Sequence, residues 1–127
     1  VPKGIGRQYE VEVTTVEDAL LKDERPVDLI KCDAEGSEML VLRGALNILS
    51  EDKPLLLLEA GMPDQAEFRP RVKEFEELLG PMGYGGLSFD YDAKLKLAPL
   101  GSLVAGHANV AFIHHSKAHR LTNFLRE

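Results

Sequence analysis

The chain has 127 residues, of which 44% are hydrophobic and 28% charged, an ordinary globular composition with room for one domain but not two. Its 15 Lys+Arg against 21 Asp+Glu give a net charge of −6, which argues against a nucleic-acid-binding domain with its basic stripe for phosphates. One cysteine, Cys32, excludes an intramolecular disulfide and fits a reducing, cytoplasmic setting.

The chain opens on Val1-Pro2-Lys3-Gly4 and not on Met, without a signal-peptide pattern, so it reads as part of a longer protein. Tyr9, Val11 and Val13 alternate with Glu10 and Glu12, which predicts a half-buried strand. Thr15-Val16-Glu17-Asp18 has the spacing of a capping box and opens a short helix that Pro26 ends. Val27 to Cys32 is short and mostly apolar between breakers, the pattern of a parallel strand buried on both faces. A helix is predicted from about Ser37 to Leu49, with Met39, Leu42, Ala45, Leu46 and Leu49 on one face. Leu55 to Leu58 reads as a second buried strand ending in Glu59, far shorter than the about 20 residues that span a bilayer. Phe68, Val72, Phe75, Leu78 and Leu79 form a helical stripe, with Pro70 in the first turn and Gly80-Pro81 at the end. Leu87 to Tyr91 and Leu95 to Leu97 read as a hairpin, and Asn109 to His114 as a last strand before a polar tail. This alternation predicts an α/β fold with parallel strands and an antiparallel closing edge.

Ligands of open α/β sheets gather beyond the carboxyl ends of the strands. Two such ends carry acids here: Asp33, with Glu35 and Glu38 in the turn and helix that follow, and Glu59. Glu38 falls within the apolar helical face, so it and Glu35 are expected to lean over the sheet; acids are also common in a first helical turn for the sake of the helix dipole. His114, His115 and His119 offer an i, i+4 pair without a third ligand nearby and read as strand end and tail. Cys32 reads as a small core residue. Gly4-Ile5-Gly6 follows no strand, so it is no dinucleotide fingerprint, and no G-x-S-x-G elbow exists for a hydrolase triad.

The run VDLIKCDAEGSE from Val27 to Glu38, then Val41-Leu42-Arg43-Gly44-Ala45 and Pro54 to Glu59, with Thr15 to Asp18 ahead of them, resembles the FkbM family of S-adenosylmethionine-dependent methyltransferases. Cys32, Ala34 and Ser37 are mild departures from the family's pattern. The resemblance implies a class I, Rossmann-like sheet of order 3-2-1-4-5-7-6, with Val27 to Cys32 as strand 4 and Leu55 to Leu58 as strand 5. Residues 1–127 would then be a single or partial domain, the C-terminal half of the catalytic domain. The glycine-rich loop after strand 1 and the acid after strand 2, which hold S-adenosylmethionine in the family, would lie upstream, and no cofactor-binding residue is assigned here.

On this reading the chain belongs to an enzyme that methylates a hydroxyl of a small molecule, sugar or lipid. Asp33 and Glu35 are the catalytic candidates, Asp33 as a base towards the hydroxyl, and Glu38 and Glu59 are the substrate-binding candidates. The acids could also hold a divalent cation, though direct hydrogen bonding is favoured and no metal is assigned. The expected partners are a small-molecule acceptor and a second copy of the chain, with no nucleic acid and no membrane span. Two other readings stay open: a non-catalytic, partner-binding α/β module, and a cation-dependent hydrolase using the same acids.

Overall fold

The structure is a computed structural model that describes residues 6–61, 65–90, 96–99 and 109–121. Helix α1 (Val16–Ala19) and a 3-10 turn (Lys22–Glu24) lead into strand β1 (Leu29–Cys32). Helices α2 (Glu38–Arg43) and α3 (Leu46–Glu51) follow, then β2 (Leu55–Glu59) and α4 (Phe68–Leu79). After a 3-10 turn come β3 (Tyr84–Asp90), β4 (Lys96–Pro99) and β5 (Asn109–His114), closed by a 3-10 segment, His115–Leu121.

The strands form one five-stranded sheet of order β1-β2-β5-β3-β4. β1 and β2 run parallel, with Cys32 opposite Leu58. β5 returns antiparallel between β2 and β3, and β3 pairs antiparallel with β4. Antiparallel pairing therefore starts inside the sheet, at β5, and continues to the β4 edge. The expected hairpin is β3 and β4; its connection, residues 91–95, lies outside the described residues.

Register places Ile30, Leu56 and Phe112 in one row, and Cys32, Leu58, Val110 and Ser88 in the next, all on the face that the helices cover. The core is built there. Leu42, Leu49, Leu56, Leu58, Leu79 and Val110 are fully buried, and Phe75 of α4 meets Phe112 edge-on with centroids 6.2 Å apart. Each such side chain contributes about 1.5–3 kcal/mol of transfer free energy. Across the sheet the cover is thinner, with Leu57, Leu87 and Leu121 packed around Ala111. No helix among the described residues is long and apolar enough to cross a membrane.

Three expectations change. Tyr9 to Val13 is not a strand: its backbone is unassigned, and Tyr9, Val11 and Val13 are exposed, because no described strand runs beside it. β1 is not buried on both faces. Ile30 and Cys32 turn inward while Leu29 is 52% exposed, since the described residues cover only one side of this edge strand. The predicted helix from Ser37 to Leu49 breaks into α2 and α3 at Gly44. A Cβ on Gly44 would stand 3.1 Å from that of Thr15, so α1 needs the bare backbone to dock. Glu17 closes this contact: its amide donates to the Gly44 carbonyl at 3.1 Å, and its carboxylate accepts from the Asn47 amide at 2.5 Å. The break also leaves Leu46 43% exposed, off the apolar face on which its spacing had put it.

Candidate functional site

Parallel register sets Asp33 and Glu59 side by side, each one step past the Cys32–Leu58 pair, on neighbouring strands about 4.8 Å apart. The chain leaves β1 through a tight turn. Glu35 (φ 51°) and Gly36 (φ 97°) are both left-handed, and the Ser37 amide donates back to the Ala34 carbonyl at 3.1 Å. Two successive positive φ values are the signature of a type I′ turn, and the glycine supplies one of them without strain. Glu35 bears the other, a conformation that costs a residue with a Cβ about 1 kcal/mol or more.

Glu38 explains why the turn persists. This side chain, 2% exposed, accepts at one carboxylate oxygen, Oε1, from the Ala34 amide at 2.8 Å and the Gly36 amide at 3.3 Å. A buried carboxylate is tolerated when backbone N–H groups satisfy it. One oxygen each from Asp33, Glu38 and Glu59 lies within 4.8 Å of the other two. Asp33 and Glu35 are exposed and Glu59 is half-buried, so the group opens to solvent.

Crowding changes the acid–base chemistry. A hydrogen bond with Asp33, then desolvation, then the negative charges of Asp33, Glu35 and Glu38 push the Glu59 carboxyl up to about 7. Two carboxyl groups can share a hydrogen bond only through a proton, and with its carboxyl pushed up to about 7 Glu59 carries one for part of the time near neutrality. Three carboxylates are also a donor set for a hard divalent cation. The shared proton and the two amides on Glu38 account for the same grouping without one.

The other candidates add no group to these acids. Cys32 is buried, and desolvation followed by the charges of Glu38 and Asp33 raises its pKa, which suits a core thiol and not a nucleophile. His114 lies at the far end of β5 from Asn109, the partner of Glu59. Its Nδ1 is 2.7 Å from Ser116 Oγ, its ring meets Tyr84 edge-on, and burial lowers its pKa. A groove of about 250 Å³ between α2 and α4, lined by Met39, Arg43, Glu74, Glu77 and Leu78, includes none of the four acids.

Sequence reasoning missed Arg71. Its guanidinium lies against both acid-bearing turns: a Cβ on Gly36 would stand 3.3 Å from Nη2, and one on Gly61 3.4 Å from Nη1. The available signal was a glycine shortly after each acid-bearing strand end, Gly36 after Asp33 and Gly61 after Glu59.

The family model described as methyltransferase FkbM domain matches residues 3–91. No curated protein and no solved structure matches the chain significantly. The match takes in β1, β2, the turns after them and α4, and so every residue of the acid group and Arg71. With more than half of its length inside that match, the chain belongs to the FkbM methyltransferase domain family.

Proposed function

We propose that the chain forms the acceptor-activating part of an S-adenosylmethionine-dependent O-methyltransferase acting on a hydroxyl of a small molecule, sugar or lipid. The observation that carries this reading is the Asp33–Glu59 pair at the ends of adjacent parallel strands, with one carboxylate oxygen of each within 4.8 Å of the other and of Glu38, inside an FkbM domain. The sheet supports a class I assignment: β1-β2-β5-β3 follows the order 4-5-7-6, with its antiparallel strand in the place of strand 7.

S-adenosylmethionine, when bound, supplies a methyl group on a positively charged sulfonium. Asp33, Glu35 and Glu59 suit that charge. The described residues contain no glycine-rich strand-to-helix turn for the rest of the cofactor, so no residue of this chain is assigned to hold it.

Asp33, exposed at the mouth, accepts the proton of the acceptor hydroxyl as the oxygen becomes nucleophilic. Glu59, when protonated, donates that proton in a hydrogen bond to Asp33 and so holds the base in place. Glu35, at the tip of the turn, orients the acceptor. Glu38 acts one step back, holding the turn through the amides of Ala34 and Gly36.

Asp33→Asn should lower methyl transfer about 10²-fold or more in the full-length enzyme, the scale of losing a general base. Its melting temperature should change little. Rates and thermal melts of both proteins check this, and an Asp33→Asn enzyme of undiminished rate would remove Asp33 from the chemistry.

A further inference from the structure

Arg71 sits in the first turns of α4, its amide donating to the Glu67 carbonyl at 3.0 Å. The residue is half-buried, and its guanidinium lies beside the turns that follow the two acid-bearing strand ends. Nη2 lies over the Gly36 turn and Nη1 over the Gly61 turn, so the fork spans the two loops that leave β1 and β2. Both glycines have positive φ, +97° and +82°; a Cβ at Gly36 would press on the guanidinium at 3.3 Å, and one at Gly61 would meet Gln65 Oε1 at 2.8 Å and touch Nη1 at 3.4 Å. The backbone is thus bare on both sides of one cation.

That cation has no anion of its own among the described residues. The ion pairs there use Arg25 with Glu51 and Asp52, and Lys73 with Glu77. A half-buried guanidinium that no described carboxylate pairs is open to an anion from outside. Its planar fork matches an oxyanion through two parallel hydrogen bonds. The surrounding acids would repel an anionic ligand everywhere except at this cation.

We propose that Arg71 is a subsite for an oxyanion carried by the methyl acceptor, a carboxylate or a phosphate placed near the hydroxyl that Asp33 meets. The acceptor class is then an acidic or phosphorylated hydroxy compound such as a uronic acid or a sugar phosphate. The identity of the ligand as acceptor rests on the methyl-transfer reading; the oxyanion subsite does not.

The test is a binding experiment on the full chain without cofactor, so that a failure of methyl transfer leaves its result untouched. The side-chain Nε–Hε signal of Arg71, assigned by its loss in Arg71→Lys, is followed by NMR during titration with glucuronate, glucose 6-phosphate and neutral glucose. A saturable shift with one or both anions and none with glucose is the expected result. Response to glucuronate alone assigns a carboxylate, and response to glucose 6-phosphate alone a phosphate. Arg71→Gln should weaken that binding about tenfold or more, read at the Gly36 and Gly61 amides, as losing a charged hydrogen-bonding partner does. No shift with either anion, or an equal shift with glucose, overturns the proposal. Should Arg71→Gln not fold by circular dichroism, the titration of the unaltered chain still decides.

Discussion

At Glu59 an acid closes an otherwise apolar strand and meets three other carboxylates, and its pKa rises to about 7. The folded state therefore binds a proton between about pH 4.5 and 7 that the unfolded chain has released. Stability from this group is fully present below the unfolded value and is lost as pH rises through 7. Glu59→Gln keeps the hydrogen-bonding shape without the charge. It should raise stability by about 1 kcal/mol at pH 8, after allowance for solvent screening, and change it little at pH 4.5. Urea unfolding at the two pH values checks this; equal effects at both would mean that repulsion is not the cause. A gain in stability on removing a group from the mouth of a site is also what a function-driven arrangement produces. Asp33 and Glu59 were legible as strand-end acids because apolar runs with acids at their ends are a one-dimensional pattern. The binding of Glu38 to the amides was not, because it depends on two consecutive left-handed residues. Arg71 was hidden too: it follows Pro70 and precedes Val72 in a helical stripe, and only folding brings it to glycines 35 and 10 residues away.

Among the elements, the entry to β1 is fixed by a clamp from the end of α3. Arg25 donates from Nε and Nη2 to the two oxygens of Asp52 at 2.9 and 2.7 Å, and the Val27 amide donates to Asp52 Oδ2 at 2.9 Å. The Arg25 hydrogen bonds, and after them the Val27 amide, hold the Asp52 carboxyl below its usual range against the opposing cost of burial. With a depressed folded pKa the contribution is present above the unfolded value of about 3.9 and is lost as pH falls through the folded one. Asp52→Asn should cost about 1–2 kcal/mol at pH 7, and the difference should narrow as pH falls below the unfolded value. Urea unfolding along a descending pH series measures it, and a loss that does not narrow at all would assign the effect to packing. The strongly patterned elements were legible: α4 spans Phe68–Leu79 with Phe68, Phe75 and Leu79 buried, and β5 spans Asn109–His114. Local pattern failed where tertiary context decides. Tyr9 to Val13 has a strand's alternation without a neighbour to pair with among the described residues, and the wheel from Ser37 to Leu49 runs through Gly44, where α1 docks.

The whole sheet has two unlike ends. At one, β4 hangs on β3 by hairpin pairing; at the other, β1 pairs only with β2 among the described residues. In the class I order proposed above, the place beside β1 belongs to strand 1. Its unpaired N–H and C=O groups are a template for another strand. The edge itself is apolar as well: Leu29 is 52% exposed on it. A net charge of −6 opposes association only weakly at physiological salt, where the screening length is about 8 Å. The 127-residue chain by itself should therefore self-associate through β1, most simply as a two-fold dimer. Light scattering over a hundredfold range of concentration should show the mass doubling. Leu29→Lys places a charge on the edge, the device by which natural sheets prevent such pairing, and should shift the equilibrium to monomer without altering the melt of the monomer. A chain that stays monomeric throughout would mean that the β1 edge is protected in solution. A dimer indifferent to Leu29→Lys would move the interface away from β1.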